Sequence, residues 1–300
     1  MRINKNKICV GAGLVSLDIL MRGNEEHGVS YKVGGTCGNV MMILSHMGWS
    51  AYPIARLDET HYTKMLLTDM ENHNVNTTFV STNDGTTPVI VQRNIVDKYG
   101  NPCHKFEILN NKGRFFLGYK SITKKQAETI IAEMDFTPSV FFFDRISPAV
   151  ICLAEHFKDK GALIYFEPSC KVTEKGFTRC IELGDIIKFA EQRIPDIAFT
   201  SSFQNKLFIQ TLGQRGLQYS LCGKAWIHLD AIMNQNVIDT SGAGDWTTSA
   251  FLNGLMELDI KKISEMTSST IDQLLMDAQR LGSLSCSYEG ARGMMALSLE

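Results

Sequence analysis

The stretch Asp239-Thr240-Ser241-Gly242-Ala243-Gly244-Asp245 decides how this chain is to be read. It runs into Trp246-Thr-Thr-Ser-Ala-Phe-Leu-Asn-Gly-Leu255, which reads as a helix. A turn of small residues, Gly242-Ala243-Gly244, thus opens a helix that carries a carboxylate, Asp245, at its mouth. The first N–H groups of a helix have no partner inside it, and the helix dipole adds partial positive charge at the same end. Such an end is ready to hold an anion. Glycine lacks a Cβ, so backbone can approach that anion closely. Asp245 is then placed to take a proton from a hydroxyl attacking the same anion. An anion cradle and a base are the minimal kit for phosphoryl transfer to an alcohol. The plain alternative is that Asp245 merely caps its helix, a position Asp favours for local reasons.

Working outward, 300 residues are long for one domain but fit an α/β fold, and with 44% of residues hydrophobic the core can be large. A formal net charge of −2 gives no broad basic surface to recruit nucleic acid or an anionic membrane. There is no low-complexity tract and no internal repeat. The eight cysteines are scattered and form no Cys-x-x-Cys pair, which argues against zinc-ribbon and thioredoxin-like readings. Single thiols of this kind suit a reducing compartment, so a cytoplasmic location is expected. The basic start (Arg2, Lys5, Lys7) before the apolar run from Ile8 superficially copies a signal peptide. Asp18 interrupts that run and no small-residue cleavage site follows, so a buried first strand is the better reading. No stretch approaches the roughly 18 apolar residues of a membrane span.

The periodicity predicts helices over 36–48, 63–72, 124–134, 149–160, 245–257 and 271–286. Strands are expected at Ile8–Val10, Thr87–Ile95, Val140–Phe143, Ala162–Phe166, Asp185–Ile187 and Leu207–Thr211. Polar, Gly-containing stretches around Thr87–Ile95 suggest a small sheet projecting from the body. Alternating strands and helices imply a parallel sheet with helices on both faces. Ligands in such sheets bind at the carboxyl ends of the strands. Asp18, Asp144-Arg145 and Glu167 each follow a strand-like run and are positioned to meet there. Gly11-Ala12-Gly13 does not continue as Gly-x-Gly-x-x-Gly, because residue 16 is Ser, and the P-loop pattern is also missing.

The residues 239–245 resemble the C-terminal signature of the ribokinase (phosphofructokinase-B-type) family of sugar and nucleoside kinases, usually Asp-Thr-x-Gly-Ala-Gly-Asp. A second block, Gly34-Gly35-Thr-Cys-Gly-Asn39, resembles the family's N-terminal signature and precedes the other in the order the family requires. The resemblance implies one ribokinase-like domain over residues 1–300. Its central sheet would be mainly parallel and flanked by helices, with a small β-sheet lid built from about 20–34 and 86–118. It implies an ATP-dependent carbohydrate kinase acting on a sugar, a sugar acid or a sugar phosphate. Asp245 would be the general base, and Gly242, Ala243 and Gly244 the anion hole. Asp18, Gly34, Gly35 and Asn39 would hold the sugar, with Glu167 beside them. Thr211, Gly213, Gly216 and Thr240 would line the nucleotide site, and Gly290-Ala-Arg292 the loop near the adenine. The family also implies Mg²⁺, a monovalent cation such as K⁺ near Asp239, and a homodimer formed through the lid.

Some positions depart from the family. The metal-organising Asn-x-x-Glu is replaced within Lys188-Phe-Ala-Glu-Gln-Arg193, with Ala190 and Arg193 at the two key places and Glu191 as the nearest substitute. Glu167-Pro-Ser169 stands where Asn-Pro or Asp-Pro is usual, and Arg56-Leu-Asp58 where Gly-x-Asp is usual. Arg145 adds a guanidinium suited to an anionic substrate, unless it only pairs with Asp144 or Glu167; Arg93, in the lid, is a second candidate for such a contact. Two further readings stay open. One is a nucleoside kinase stacking a base on Phe115, Phe116 or Tyr119, and the other a non-catalytic sugar or nucleotide sensor.

Overall fold

The computed structural model describes residues 7–22, 29–96, 102–109, 118–169 and 175–297. The chain begins with β1 (Ile8–Ala12), β2 (Ser16–Arg22), β3 (Ser30–Gly34), α1 (Thr36–His46), β4 (Ser50–Arg56), α2 (His61–Asn72) and β5 (Val80–Ser81). It continues through β6 (Val89–Val96), β7 (Pro102–Leu109), α3 (Lys124–Glu133), β8 (Val140–Phe143), α4 (Pro148–Asp159), β9 (Leu163–Phe166) and α5 (Phe177–Leu183). The last part holds β10 (Ile186–Ala190), β11 (Leu207–Thr211), β12 (Leu217–Leu221), β13 (Ile227–Leu229), α6 (Ala243–Glu257) and α7 (Ser268–Ser285).

Nine strands form the central sheet in the order β13-β12-β11-β10-β9-β8-β1-β4-β5. From β5 to β11 every neighbouring pair is parallel, and only the β11-β12-β13 edge runs antiparallel. Both faces are covered, which is why the central strands read as unbroken apolar runs. In β8, Val140 and Phe142 enter the core layer shared with α1, α2, α6 and α7. Phe141 and Phe143 enter the opposite layer with α3, α4 and α5. Ribokinase-like is the fold class this arrangement defines, with a separate four-stranded sheet in the order β3-β2-β6-β7.

That small sheet begins at Ser16, earlier than the expected boundary near residue 20. Asp18 looked like a loop residue past the first strand, but it is the third residue of β2, paired with Lys32 on β3 and Ile90 on β6. The antiparallel edge formed by β12 and β13 was not foreseen either, because three- to five-residue strands leave too short a pattern. Part of the expected lid (23–28, 97–101 and 110–117), with Phe115 and Phe116, lies outside the described residues.

Candidate active site

α6 starts where its composition says it should. Its N-cap, Gly242, has φ of 76°, a conformation costly for any residue with a Cβ. A Cβ there would also meet the Cβ of Ala291 at 2.5 Å, on the loop running to the C-terminus. No side chain caps the helix. The N–H groups of Gly244 and Asp245 find no acceptor among the described residues. The space beside Gly244 is open, with the Lys188 ammonium 3.6 Å from where a Cβ would lie.

Asp245, in the first turn of α6, is partly exposed. Its carboxylate accepts a hydrogen bond of 2.7 Å from the Asn39 side-chain amide on α1. The two signatures are thus joined by a direct contact. The Asp245 carboxyl is pushed up to about 8, first by desolvation and then by the nearby charge of Glu167; the Asn39 donor and the Lys188 ammonium oppose the shift. Asn39 is buried, and its carbonyl Oδ1 has no partner among the described residues. A buried acceptor without a donor is costly unless something supplies one, and a ligand hydroxyl would do so.

Asp18, on β2 of the small sheet, is half-buried. Its Oδ1 accepts from Ser16 Oγ at 2.8 Å, and burial raises its carboxyl to about 6 against the opposing pull of Ser16 and Arg292. Gly34 makes room for it: a Cβ at 34 would fall 2.0 Å from the Asp18 carboxylate. Gly35, the N-cap of α1, has φ of 78° and lies tight against the Leu14 carbonyl.

Glu167 follows β9 and is fully engaged. Oε1 takes the Lys188 ammonium at 2.5 Å, and Oε2 accepts from Thr248 Oγ1 at 2.7 Å. Lys188 is almost wholly buried in β10. Sequence reasoning passed over it. The available signal was a lone Lys in the otherwise apolar run Ile186–Ala190. Arg145 uses Nη1 to reach the carbonyl and the carboxylate of fully buried Asp144, at 3.0 and 2.7 Å, and the Ser169 hydroxyl. Asp144 in turn accepts from the Leu14 N–H at 2.9 Å. Burial raises its carboxyl to about 6, with Arg145 the chief opposing charge. Arg93 is paired with Glu107 across the small sheet.

Thr211 ends β11, and the turn through Gly213 and Gly216 closes on the Leu212 N–H to Gly216 carbonyl bond of 2.8 Å. This turn borders an open groove of about 590 Å³ whose lining includes Glu191, Leu212, Arg215, Gln218, His228 and Met233. Thr240 is exposed at the approach to α6. Asp239 is buried, and both its oxygens accept N–H groups, from Ser241 on one side and from Gln92 and Gly290 on the other. Three N–H donors around one carboxylate suit loop closure better than a cation shell. The expected magnesium-organising segment does not fit a metal either. Ala190 offers no side-chain oxygen, Arg193 is a cation, and Glu191 pairs with Arg215 on the groove wall. Among the described residues no cluster of three or more His, Cys, Asp or Glu could hold a metal ion. Asp58, which follows β4, takes hydrogen bonds from Thr60, Thr63 and Thr87 and so ties α2 to the approach of β6. Among the described residues, no helix is long and apolar enough to cross a membrane.

Comparison with known proteins agrees with this architecture. Residues 174–296 match the model of the pfkB family carbohydrate kinases, a span that includes the groove turn and all of 239–245. Among solved structures, a fructokinase from Vibrio cholerae O395 in a fructose-, ADP- and calcium-bound form has a TM-score of 0.70 at 15% identity, covering 96% of each chain. An Arabidopsis thaliana ribokinase complexed with ribose and ATP has a TM-score of 0.69 at 17% identity, covering 95% of this chain and 94% of that one. An aminoimidazole riboside kinase from Salmonella enterica, complexed with aminoimidazole riboside and an ATP analogue, has a TM-score of 0.71 at 15% identity, covering 97% of each. A comparison with curated proteins finds no match. The resemblance carried by the two signatures thus meets a family-model match over the C-terminal part and ribokinase and fructokinase neighbours in fold over nearly the whole chain.

Proposed function

We propose that this chain, ribokinase-like in fold and matched by the pfkB carbohydrate-kinase model over residues 174–296, is an ATP-dependent sugar kinase. The observation that carries the reading is the meeting of Asp245, Asn39 and the open N–H groups of α6 at one cleft. A sugar hydroxyl attacks the γ-phosphorus of ATP, and the bond from that phosphorus to the oxygen bridging to ADP breaks. The hydroxyl proton passes to Asp245. Backbone N–H groups of Gly244 and Asp245 receive the charge on the transferring phosphoryl group, with Lys188 beside them. A base titrating near 8 is ionised in a useful fraction at neutral pH and still basic enough to accept the proton. Asp18 and the orphan Oδ1 of Asn39 hold sugar hydroxyls, because carboxylate and carbonyl oxygens are acceptors for them. The groove beside Thr211, Gly213 and Gly216 takes the nucleotide. The small sheet carries Asp18 over the cleft, where its approach excludes water and limits wasteful hydrolysis of ATP.

Glu167 acts in this scheme by holding Lys188 and by raising the basicity of Asp245. Arg145 turns Nη1 to Asp144 and Ser169, so the test compares neutral sugars with acids and phosphates. Ribosides belong in the test as well, because one neighbour in fold holds a riboside.

The test is ADP release across a panel of neutral sugars, sugar acids, sugar phosphates and ribosides. At least one neutral sugar is expected to stimulate ADP release. Asp245→Asn is expected to lower turnover on it by at least about 10²-fold with sugar and ATP still bound. Near-normal turnover in that variant removes the base assignment. Binding of sugars with no turnover on any member of the panel points to a sensor instead.

A further inference from the structure

Gln92 ends the apolar start of β6, Val89-Ile90-Val91, and is itself buried. Burying an amide is costly unless its donors and its acceptor are met. Both ends of this amide are met by the turn that precedes α6. Nε2 donates to Asp239 Oδ2 at 3.0 Å, and Oε1 accepts from Ser241 Oγ at 3.4 Å. The buried Asp239 carboxylate also accepts the Ser241 N–H and the Gly290 N–H, each at 2.8 Å. Strand β6, the turn at 239–241 and the loop at 290 are thus joined through one carboxylate.

The register of the small sheet puts Asp18 on the same face as this joint. Ile90 pairs with Asp18 and Gln92 with Leu20, and strand residues two apart point the same way. Leu20 packs on the joined loop, since a Cβ at Gly290 would fall 2.8 Å from its Cδ1. Ile19, Val89 and Val91 point the other way and pack with Tyr62 of α2. At the far side of the joint, Ser241 immediately precedes Gly242, the N-cap of α6. A Cβ at Gly242 would in turn meet Ala291, the neighbour of Gly290. The small sheet is therefore fastened one residue ahead of the helix start that carries Asp245. Apolar packing alone could hold a sheet face at several offsets. An amide that must satisfy both Asp239 and Ser241 selects one, because each alternative leaves buried polar groups unpaired.

We infer that Gln92 is a positioning residue, which sets the small sheet and Asp18 against the start of α6 by gripping Asp239 and Ser241. Its part in turnover rests on the kinase reading, whereas the grip itself is read without any ligand. Gln92→Met keeps an unbranched side chain of similar length and removes both hydrogen bonds. Hydrogen exchange of the full chain, read by mass spectrometry, is expected to run about 10- to 100-fold faster at the Ser241 and Gly290 amides, the effect of losing a hydrogen bond to a charged group. The amides of β9 should not change. Val91→Ala thins the opposite face of the same strand. It should loosen the small sheet and leave the Ser241 and Gly290 amides protected. On a sugar that turns over, Gln92→Met should lower kcat by about tenfold and leave KM for sugar and for ATP within about twofold, because each ligand keeps its own contacts and only their alignment suffers. Gln92→Glu is the second variant, with a carboxylate facing Asp239, and should show at least the same changes. Circular dichroism records the folded fraction of each. Unchanged exchange at Ser241 and Gly290, an equal effect in Val91→Ala, or a loss confined to KM overturns the inference. Faster exchange at those two amides in a protein that phosphorylates no sugar keeps the grip and removes the sugar-kinase reading instead.

Discussion

α1 and α6 begin with the same device and put it to different uses. Each has a glycine N-cap at positive φ, Gly35 at 78° and Gly242 at 76°, and neither has a side-chain cap. Both glycines lie against neighbouring chain, Leu14 in one case and Ala291 in the other. At α1 the protein closes one open donor on itself, through the Gly38 N–H to Leu14 carbonyl bond of 3.1 Å. There is no acid in its first turn, and α1 contributes to the cleft through the Asn39 side chain. At α6 the Ala243 N–H turns back to the Thr240 carbonyl at 3.4 Å, those of Gly244 and Asp245 find no acceptor among the described residues, and the first turn carries Asp245. Each helix start thus spends one N–H on the chain itself, and the acid in the first turn of α6 is what sets the two apart. On the kinase reading proposed above, α1 would hold the acceptor sugar and α6 the transferred group.

The largest effect should separate the two helices by their side chains. Asp245→Asn removes the base and should cost at least about 10²-fold in turnover, with KM for sugar little changed. Asn39→Ala removes one hydrogen bond to a charged group and one acceptor, and should cost about tenfold, mainly in KM. Steady-state kinetics on the same sugar checks both, and a larger kcat loss at 39 than at 245 would invert the division of labour. Asp245 also carries a stability signature. Its carboxyl is protonated in the folded state well above the unfolded range, so its contribution to stability is present at low pH and is lost as pH rises through about 8. Asp245→Asn stays neutral and should melt higher than wild type at pH 9, and the gap should narrow toward pH 5.

The next effect tests the shared glycine device. Gly35→Ala and Gly242→Ala each force a Cβ into a left-handed conformation and against backbone, and each should destabilise by about 1–3 kcal/mol. Gly244→Ala meets only the flexible end of Lys188 at ordinary contact distance. It should leave stability nearly unchanged, as urea denaturation of the three variants can check. Comparable destabilisation at all three would show that the strain argument has the wrong cause.

Much of this was legible in the sequence because the signals were local. Val140–Phe143 and Leu207–Thr211 read as strands at their observed bounds, since a strand buried on both faces is a continuous apolar run flanked by polar residues. The 239–245 motif exposed the α6 mouth because small residues and an acid must be consecutive there. What escaped detection depends on contacts between distant segments. Nothing near Lys188 in sequence shows that Glu167 will neutralise it, since the pair bridges β10 and the end of β9. Nothing near Asp18 shows that it sits inside a strand facing Gly34, because that placement is set by pairing with β3 and β6. Asp239 reads as a cation ligand in its motif. Gln92, far away in the small sheet, helps make it a hub for N–H donors.

The smallest expected effect sharpens the account of Asp245 itself. After desolvation, the charge of Glu167 is the main cause of its raised pKa. Glu167→Gln deletes that charge and should lower the Asp245 pKa. The substitution also frees Lys188 from its partner, and an unneutralised ammonium near Asp245 acts in the same direction. Since the base must be ionised to work, kcat rises with pH through an acid limb near the Asp245 pKa, and in Glu167→Gln that limb should move to lower pH. Relative to wild type, the variant should gain activity near pH 6 and gain none at pH 9, where Asp245 is already ionised in both. A limb that stays in place would mean that burial alone sets the basicity of Asp245 and that Glu167 serves only to hold Lys188 and Thr248. The α6 mouth would then differ from the α1 mouth by the acid in its first turn, and not by a tuned pair of carboxylates.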